Sequence, residues 1–537
     1  VSLNNVSHSI FQNIRIYGTA NQGIRISNGE SNRLGQVRVG RSRGGGIYLS
    51  SASANIITNS TVWMNNGDGI TIAGPTNVIR NCTIACNTGD QLRVLSGEAI
   101  FSHCIAVASR LGTHCIGHDG GLYYGDYNDL YVTNGGFTAF SGNQLYARLI
   151  DWQAAPGSND QNSIAHAPQY ADTASGDFHL RSLTGRYING AWTNDLVHSP
   201  CIDAGMIFGL LTNEPAPHGN RVNLGAYGDT AEASLSRTDA WVTAVSYNDG
   251  GTARRTVTLT WLAGGGVSGT ADLYYSLDGG NTWSNLGSTL IENQNYSWNT
   301  SLLQDQPDVK WRIELAADPT VSDNSDNLFA VNPQRYFVND SIQAGDLYCS
   351  QPGDDRNDGV STNRPMSTFN TLLAVHKLEP PAILYIDTGE YLLTNDFEIT
   401  AADAGTATSA VYVTIQGSTN GTVIERTARD IRATAIYLNQ ADRVSVKDLT
   451  ITGGYYAVSF SGSSYCQLSN VVVHHSVWNG IHLDASDYNI LQRVNVHHCK
   501  GAGIYADDSD YNQVCFSTIW TNGADGVFFN GNSNSLR

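Results

Sequence analysis

The stretches GIHLDASDYN (480–489), GIYADDSDYN (503–512) and GVFFNGNSNS (526–535) decide the fold, because their glycines, Gly480, Gly503 and Gly526, recur every 23 residues. Individual side chains keep the same step. Tyr465, Tyr488 and Tyr511 are successive equivalents, as are Asn489 and Asn512, His474 and His497, His475 and His498, and Asp484 and Asp507. The period also runs backwards, to Ala457-Val458 and Ala435-Ile436, and it reappears at the other end of the chain in Gly23-Ile24, Gly46-Ile47 and Gly69-Ile70. Each repeat holds short alternating β-branched runs broken by Asn, Gly, Ser or Asp, the pattern of strands and turns.

A coil of about 23 residues with three short strands has the circumference of a right-handed parallel β-helix, in which like residues stack into ladders at about 4.8 Å. A leucine-rich repeat has a similar length but a Leu/Asn consensus that is absent here, and a propeller blade needs a period of about 40 or more. The repeats resemble the pectate-lyase-like superfamily of right-handed parallel β-helix proteins over roughly 1–235 and 335–537. That superfamily holds lyases, hydrolases, epimerases, adhesins and inert fibres, so the resemblance implies a fold and not one activity.

Between these stretches, 239–332 reads differently. TVTLTWL, TADLYYSLDGGNTWSNLG, NYSWNT and VKWRIELAA alternate as the strands of a β-sandwich do and resemble an Ig-like or fibronectin-III-like module. Ser276 to Trp283 also fits the Asp-box turn of sialidase propellers, but a single copy cannot build a propeller, so it is read as a fastened hairpin turn. The expected organisation is therefore all-β: 1–235 the C-terminal part of a β-helix with its closing segment, 239–332 the sandwich, and 335–537 the N-terminal cap and first coils of a second β-helix. The stretch 348–376 resembles the opening of secreted bacterial β-helix proteins, with Ser367 capping a short helix whose apolar face is Phe369, Leu372 and Leu373. The stretch 167–234 resembles the closing segment of such proteins, departing at Met206-Ile207, where the family usually continues Asp-Pro. Read in this order, the chain is expected to be about one period of a much longer array of alternating β-helices and sandwiches.

Composition narrows the function. Across 537 residues, 48 acidic side chains face 30 basic ones, for a net charge of −18, and only four lysines occur, Lys310, Lys377, Lys447 and Lys500. Without basic clusters a general nucleic-acid binder is not expected, nor does any apolar run reach the length of a membrane span. The nine cysteines lack CxxC spacing and read as small buried hydrophobes, Cys82 and Cys104 as neighbours on adjacent coils. No P-loop or HExxH is present.

Four groups carry candidate chemistry. Asp484, Asp487, Asp507, Asp508 and Asp510 form an acidic ladder at a turn, with oxygens suited to calcium, the one cofactor indicated. His474, His475, His497 and His498 make a two-by-two stack near Arg493 and Lys500, in which strand alternation would turn the members of each pair to opposite faces. His114, His118, Asp119 and Asp126 form a polar group, and Gly353 to Gly359 looks like a calcium loop but has Arg356 where a ligand should be, so it is read as a turn of the family. The expected function is a structural repeat unit of a giant extracellular fibre, sheath or surface adhesin, its partners other copies joined end to end and cell-surface or environmental polysaccharide. The alternative is a secreted carbohydrate-active enzyme (lyase, epimerase or hydrolase) or a glycan-binding surface protein.

Overall fold

A computed structural model describes residues 1–142, 144–157, 159–206, 213–430 and 432–537, so that Ile207 of the expected departure lies outside the described residues. The chain divides into two compact units, Val1–Asn332 and Pro333–Arg537. No helix among the described residues is long and apolar enough to cross a membrane.

The first unit opens with parallel coils of three strands, such as Ile24–Ser27, Arg33–Gly35 and Arg38–Gly40. Ile24, Ile47 and Ile70 pair side by side at steps of 23, and the ladder continues to Leu92 and Ile116. Alternation sends Ile24, Ile26, Leu34, Val37 and Val39 into a fully buried interior. The glycine that marks each repeat has a steric cause. A Cβ on Gly23, Gly46 or Gly69 would stand 2.2, 2.2 or 2.4 Å from Val39 Cγ1, Val62 Cγ1 or Ile84 Cγ2 of the same coil.

Corners are made by single residues in the left-handed region. Asn13, Gln36, Asn59, Asn81 and His103 occupy one such corner in successive coils. For non-glycine residues this conformation costs roughly 1–2 kcal/mol, offset because the corner N–H donates to the next coil, as from Asn13 to Gly35 O at 3.1 Å.

A second corner is held from inside by buried asparagines eight or nine residues after the glycine. Asn32 N–H donates to Asn55 Oδ1 at 3.0 Å and Asn55 N–H to Asn77 Oδ1 at 3.1 Å, with the Nδ2 groups repeating the pattern. Cys82 and Cys104 continue such a ladder at another corner, where Cys82 N–H donates to Cys104 Sγ at 3.3 Å, and all nine cysteines are unpaired thiols.

One end of these coils is covered by the antiparallel strand Gln144–Tyr146 and the helix Leu149–Gln153, which buries Leu149 and Trp152. The expected closing segment, 167–234, instead returns along the outside of the third strand set. Gly225 N–H donates to His103 O at 2.8 Å, Asn59 Nδ2 donates to Gly228 O at 2.8 Å, and Phe178 meets Trp63 at 5.6 Å. Its apolar side chains join the outward faces of Trp63 and Ile105 in a second core, so apolar residues on the outside of a coil are what draw it there.

From Trp241 the same unit continues as mainly antiparallel strands in a three-stranded and a six-stranded sheet, enclosing Leu259, Trp261, Leu273, Trp311 and Ile313. The hairpin turn is fastened as expected. Asp278 accepts from Ser276 Oγ (2.6 Å), Asn281 N–H (3.0 Å) and Thr282 N–H (2.9 Å), and these donors draw its carboxyl down to about 2.

The second unit opens with the strand Arg335–Val338, followed by the helix Phe369–Val375, which buries Phe369, Leu372 and Leu373. Its cap is Thr368, not Ser367, because Asp355 takes the Ser367 N–H and orients the Thr368 hydroxyl. The loop Gly353 to Gly359 spends its carboxylates on its own chain: Asp354 binds Arg356, Asp355 the helix start, and Asp358 Arg364.

The first coils of this unit are wide, and Phe397 pairs with Ile436 across 39 positions. From Ile436 onwards the steps settle, through Val458, Ile481, Ile504 and Val527. The inner ladder is the same as in the first unit: Cys466 N–H to Asn489 Oδ1 (2.8 Å), Asn489 N–H to Asn512 Oδ1 (2.9 Å), and Asn512 N–H to Asn534 Oδ1 (2.7 Å).

Candidate functional site

With the interior fixed by the template, the outward positions carry the chemistry. In the second unit, outward residues of the strands Tyr456–Ser461, Ile481–Asp484, Ile504–Asp507 and Val527–Asn530 form two rows. One row is aromatic: Tyr456, His482, Tyr505 and Phe528 stack with centroids 4.4, 5.7 and 4.7 Å apart. Burial pushes His482 below the usual imidazole range, although Asp484 and Asp507 pull the other way. The neighbouring row is Ser461, Asp484, Asp507 and Asn530, and Asn530 Nδ2 donates to Asp507 at 2.6 Å.

The five ladder aspartates therefore fall into two sets and a single residue. Asp484 and Asp507 belong to the strand row, and Asp508 is exposed in a left-handed corner. Asp487 and Asp510 sit in the turn as backbone acceptors. Asp487 takes the Asp510 N–H at 2.7 Å and Asp510 the Asn532 N–H at 2.5 Å, as Asp442 takes that of Ser464 at 2.8 Å. A charge-assisted hydrogen bond to a turn N–H is reason enough for Asp to recur there. Among the described residues no three His, Cys, Asp or Glu side chains stand close enough to hold a metal ion together.

The histidine stack differs from expectation. His475 and His498 lie in left-handed corners, with φ of 57° and 54°, which breaks the strand alternation. Both members of each pair thus point outward, with Nδ1 atoms 2.8 Å apart in His474–His475 and again in His497–His498. Corresponding rings stack at 5.2 and 5.5 Å, and Trp520 lies against both His497 and His498.

In the first unit the expected His114, His118, Asp119, Asp126 group separates. His118 turns to Gly121 O and Ser141 Oγ, and Asp126 holds Asn162. His114 joins a different set: its Nδ1 is 2.7 Å from Asp90 Oδ1, Asp90 is 4.0 Å from Arg93, and Arg93 is 2.7 Å from Asp119. Asp68 adjoins, its Oδ1 accepting the Asp90 N–H at 3.0 Å, and burial followed by the Asp90 charge raises its carboxyl. Gly117 makes room, since a Cβ there would lie 2.1 Å from Asp90 Oδ2. Asp68 and Asp90 escaped the sequence reading because the repeat here slips from 23 to 22 and 24 residues, which hides the stacking.

The expectation of no basic cluster is also corrected. Arg15, Arg25, Arg33, Arg38, Arg41 and Arg43 lie within the first two coils, with Glu30 the one acidic residue among them. The whole-chain charge concealed them. Arg15 and Arg38 pair in register and line a cavity of about 370 Å³ with Gln36, Asn59, Tyr227 and Glu232.

One family model agrees with this architecture. The family model described as right handed beta helix region matches residues 1–144 and 410–537, just over half of the chain. A second, disaggregatase related, matches 142–205. Among solved structures, an alginate lyase from Paenibacillus sp. str. FPU-7 is similar at 16% identity and a TM-score of 0.23, over 29% of this chain and 60% of that one. No curated protein matches.

Proposed function

The chain belongs to the right handed beta helix family, and from that premise we propose that it is a structural segment of an extracellular or cell-surface fibre, sheath or adhesin. In this reading the coils are stiff rods, the 241–331 sheets are an Ig-like spacer, and copies join end to end by adding coil to coil. One observation carries the reading: both units use the same coil in the same phase. The asparagine follows the glycine by nine residues in Gly23 to Asn32 and in Gly480 to Asn489. Ser9 holds that phase in the first coil, and its N–H donates to Asn32 Oδ1 at 3.1 Å. Laying Ser2–Asn4 of one copy beside Val527–Asn530 of another would run one ladder through Asn512, Asn534, Ser9 and Asn32. Calcium at the Asp484 and Asp507 row, and polysaccharide along the rod, belong to the same proposal. Electron microscopy of the full chain at rising concentration tests it: rods that lengthen in whole-molecule steps are expected, and single particles at every concentration would sink it.

A second reading, a carbohydrate-active enzyme, is favoured by the disaggregatase related match and by Asp68, a carboxyl that burial and the Asp90 charge raise beside the His114–Asp90 pair. Release of reducing or unsaturated ends from polyuronate, abolished by Asp68→Asn, would put this reading first.

A further inference from the structure

We propose that the stacked pairs His474–His475 and His497–His498 chelate borderline divalent transition cations, Cu²⁺ most strongly, through the two Nδ1 atoms of each pair. The Nδ1 atoms stand 2.8 Å apart in both pairs, and the two rings of each pair are perpendicular, at 90° and 89°. Metal–nitrogen bonds of about 2.0–2.1 Å meeting at a right angle put their nitrogens about 2.9 Å apart, so each pair already spans one edge of a square or octahedral site. Imidazole suits Cu²⁺, Ni²⁺ and Zn²⁺, with Cu²⁺ at the top of the affinity order, and does not suit calcium.

The pairs are separate sites and not one four-ligand site, because the coil spacing holds corresponding rings 5.2 and 5.5 Å apart. Each ion therefore takes two protein nitrogens and completes its shell with water, which agrees with the absence of any three-ligand group among the described residues. His475 and His498 are exposed and open to an incoming ion. Within each pair one Nδ1–H donates to the other Nδ1, and an incoming ion takes the place of that hydrogen, which moves to Nε2 of the same ring. The left-handed corner is what makes the site. On a plain strand the second histidine of each pair would point inward, and no chelate edge would form.

The full chain is titrated with Cu²⁺ by calorimetry and electron paramagnetic resonance, as wild type and as two double variants, His475→Gln/His498→Gln and His474→Gln/His497→Gln. Glutamine already occupies left-handed corners at Gln36 and Gln440, so the first variant asks nothing new of the backbone, and the second leaves the corners untouched. The wild type is expected to bind two more ions per chain than either variant and to show a two-nitrogen signal that both variants lose. Equal stoichiometry and an unchanged spectrum in either folded variant would overturn the proposal.

Discussion

The coils of residues 24–85 and those of 458–530 share an inside and differ outside. At the left-handed corner seven or eight residues after the glycine (Ala457 in the coil of Tyr465), the first set holds Ser31, Ala54 and Thr76, and the second the stacked Tyr465, Tyr488 and Tyr511. Two residues after the glycine, the first set has Arg25, Tyr48 and Thr71 where the second has His482, Tyr505 and Phe528. The glycine, the inward aliphatics and the buried asparagine stay. The template thus fixes the backbone and leaves the surface free, which is how one coil carries arginines in one unit and a histidine–aromatic–acid surface in the other.

The comparison breaks most readily at the shared interior. Asn55→Ala and Asn512→Ala each strip a fully buried ladder member and strand the donors of its neighbours. Each is expected to cost about 2–4 kcal/mol, a buried donor left unpaired costing about 1–3, and chemical denaturation should find the two losses alike. A loss in one unit alone would mean that the ladders are not equivalent. Gly46→Ala and Gly503→Ala follow at about 1–3 kcal/mol from overpacking, with Gly46 the worse because Val62 would stand closer to its Cβ than Ile519 to that of Gly503.

The units should part company with pH. In the first, burial pushes Asp129, Asp151 and Glu214 up to about 7 and Asp203 to about 6. A folded state that holds these protons when the unfolded chain has lost them is weakened as pH rises through those values. His103 and His198, driven by burial to about 4, oppose this only below pH 6.5. The first unit should therefore lose stability from pH 6.5 to 8. In the second, burial lowers His474, His482 and His497, so their contribution is present above pH 6.5 and lost as pH falls below it. Hydrogen exchange resolved along the chain should show the two opposite trends.

The smallest effect is expected on the outside. Tyr488→Ala removes the middle ring of a stack spaced 4.9 and 4.7 Å, and at about 0.5–1.5 kcal/mol per aromatic pair it should cost about 1–2 kcal/mol, since the rings are open to water. Ala54→Tyr, at the equivalent corner of the first unit, should leave the melting temperature nearly unchanged.

The coil was legible because its causes are local and repeat: the glycine that admits Val39 or Ile519, the aliphatic alternation, and the Asn489 and Asn512 step. Legibility failed where a residue's direction depends on a corner. His475 and His498 follow strand periodicity on paper, yet their positive φ turns them outward beside His474 and His497. It failed again where the period slips, so that Asp90 meets His114 across 24 positions. The course of 164–234 was out of reach for another reason. It is set by outward apolar residues such as Trp63 and Ile105, which in a repeat look like ordinary strand residues. The six arginines of Arg15 to Arg43 were lost in a whole-chain sum dominated by acids elsewhere.

The most direct test of the shared coil as a joint between copies is a cross-link in register. Asn4 pairs with Ser27 in the first unit, and Asn530 holds the phase of Ser27 in the second, so addition of one edge to the other brings Asn4 of one copy beside Asn530 of the next. Chains carrying Asn4→Cys and chains carrying Asn530→Cys, mixed under mild oxidation, should give a disulfide-linked dimer that neither forms alone. A mixture that yields no dimer beyond the separate chains would contradict the account.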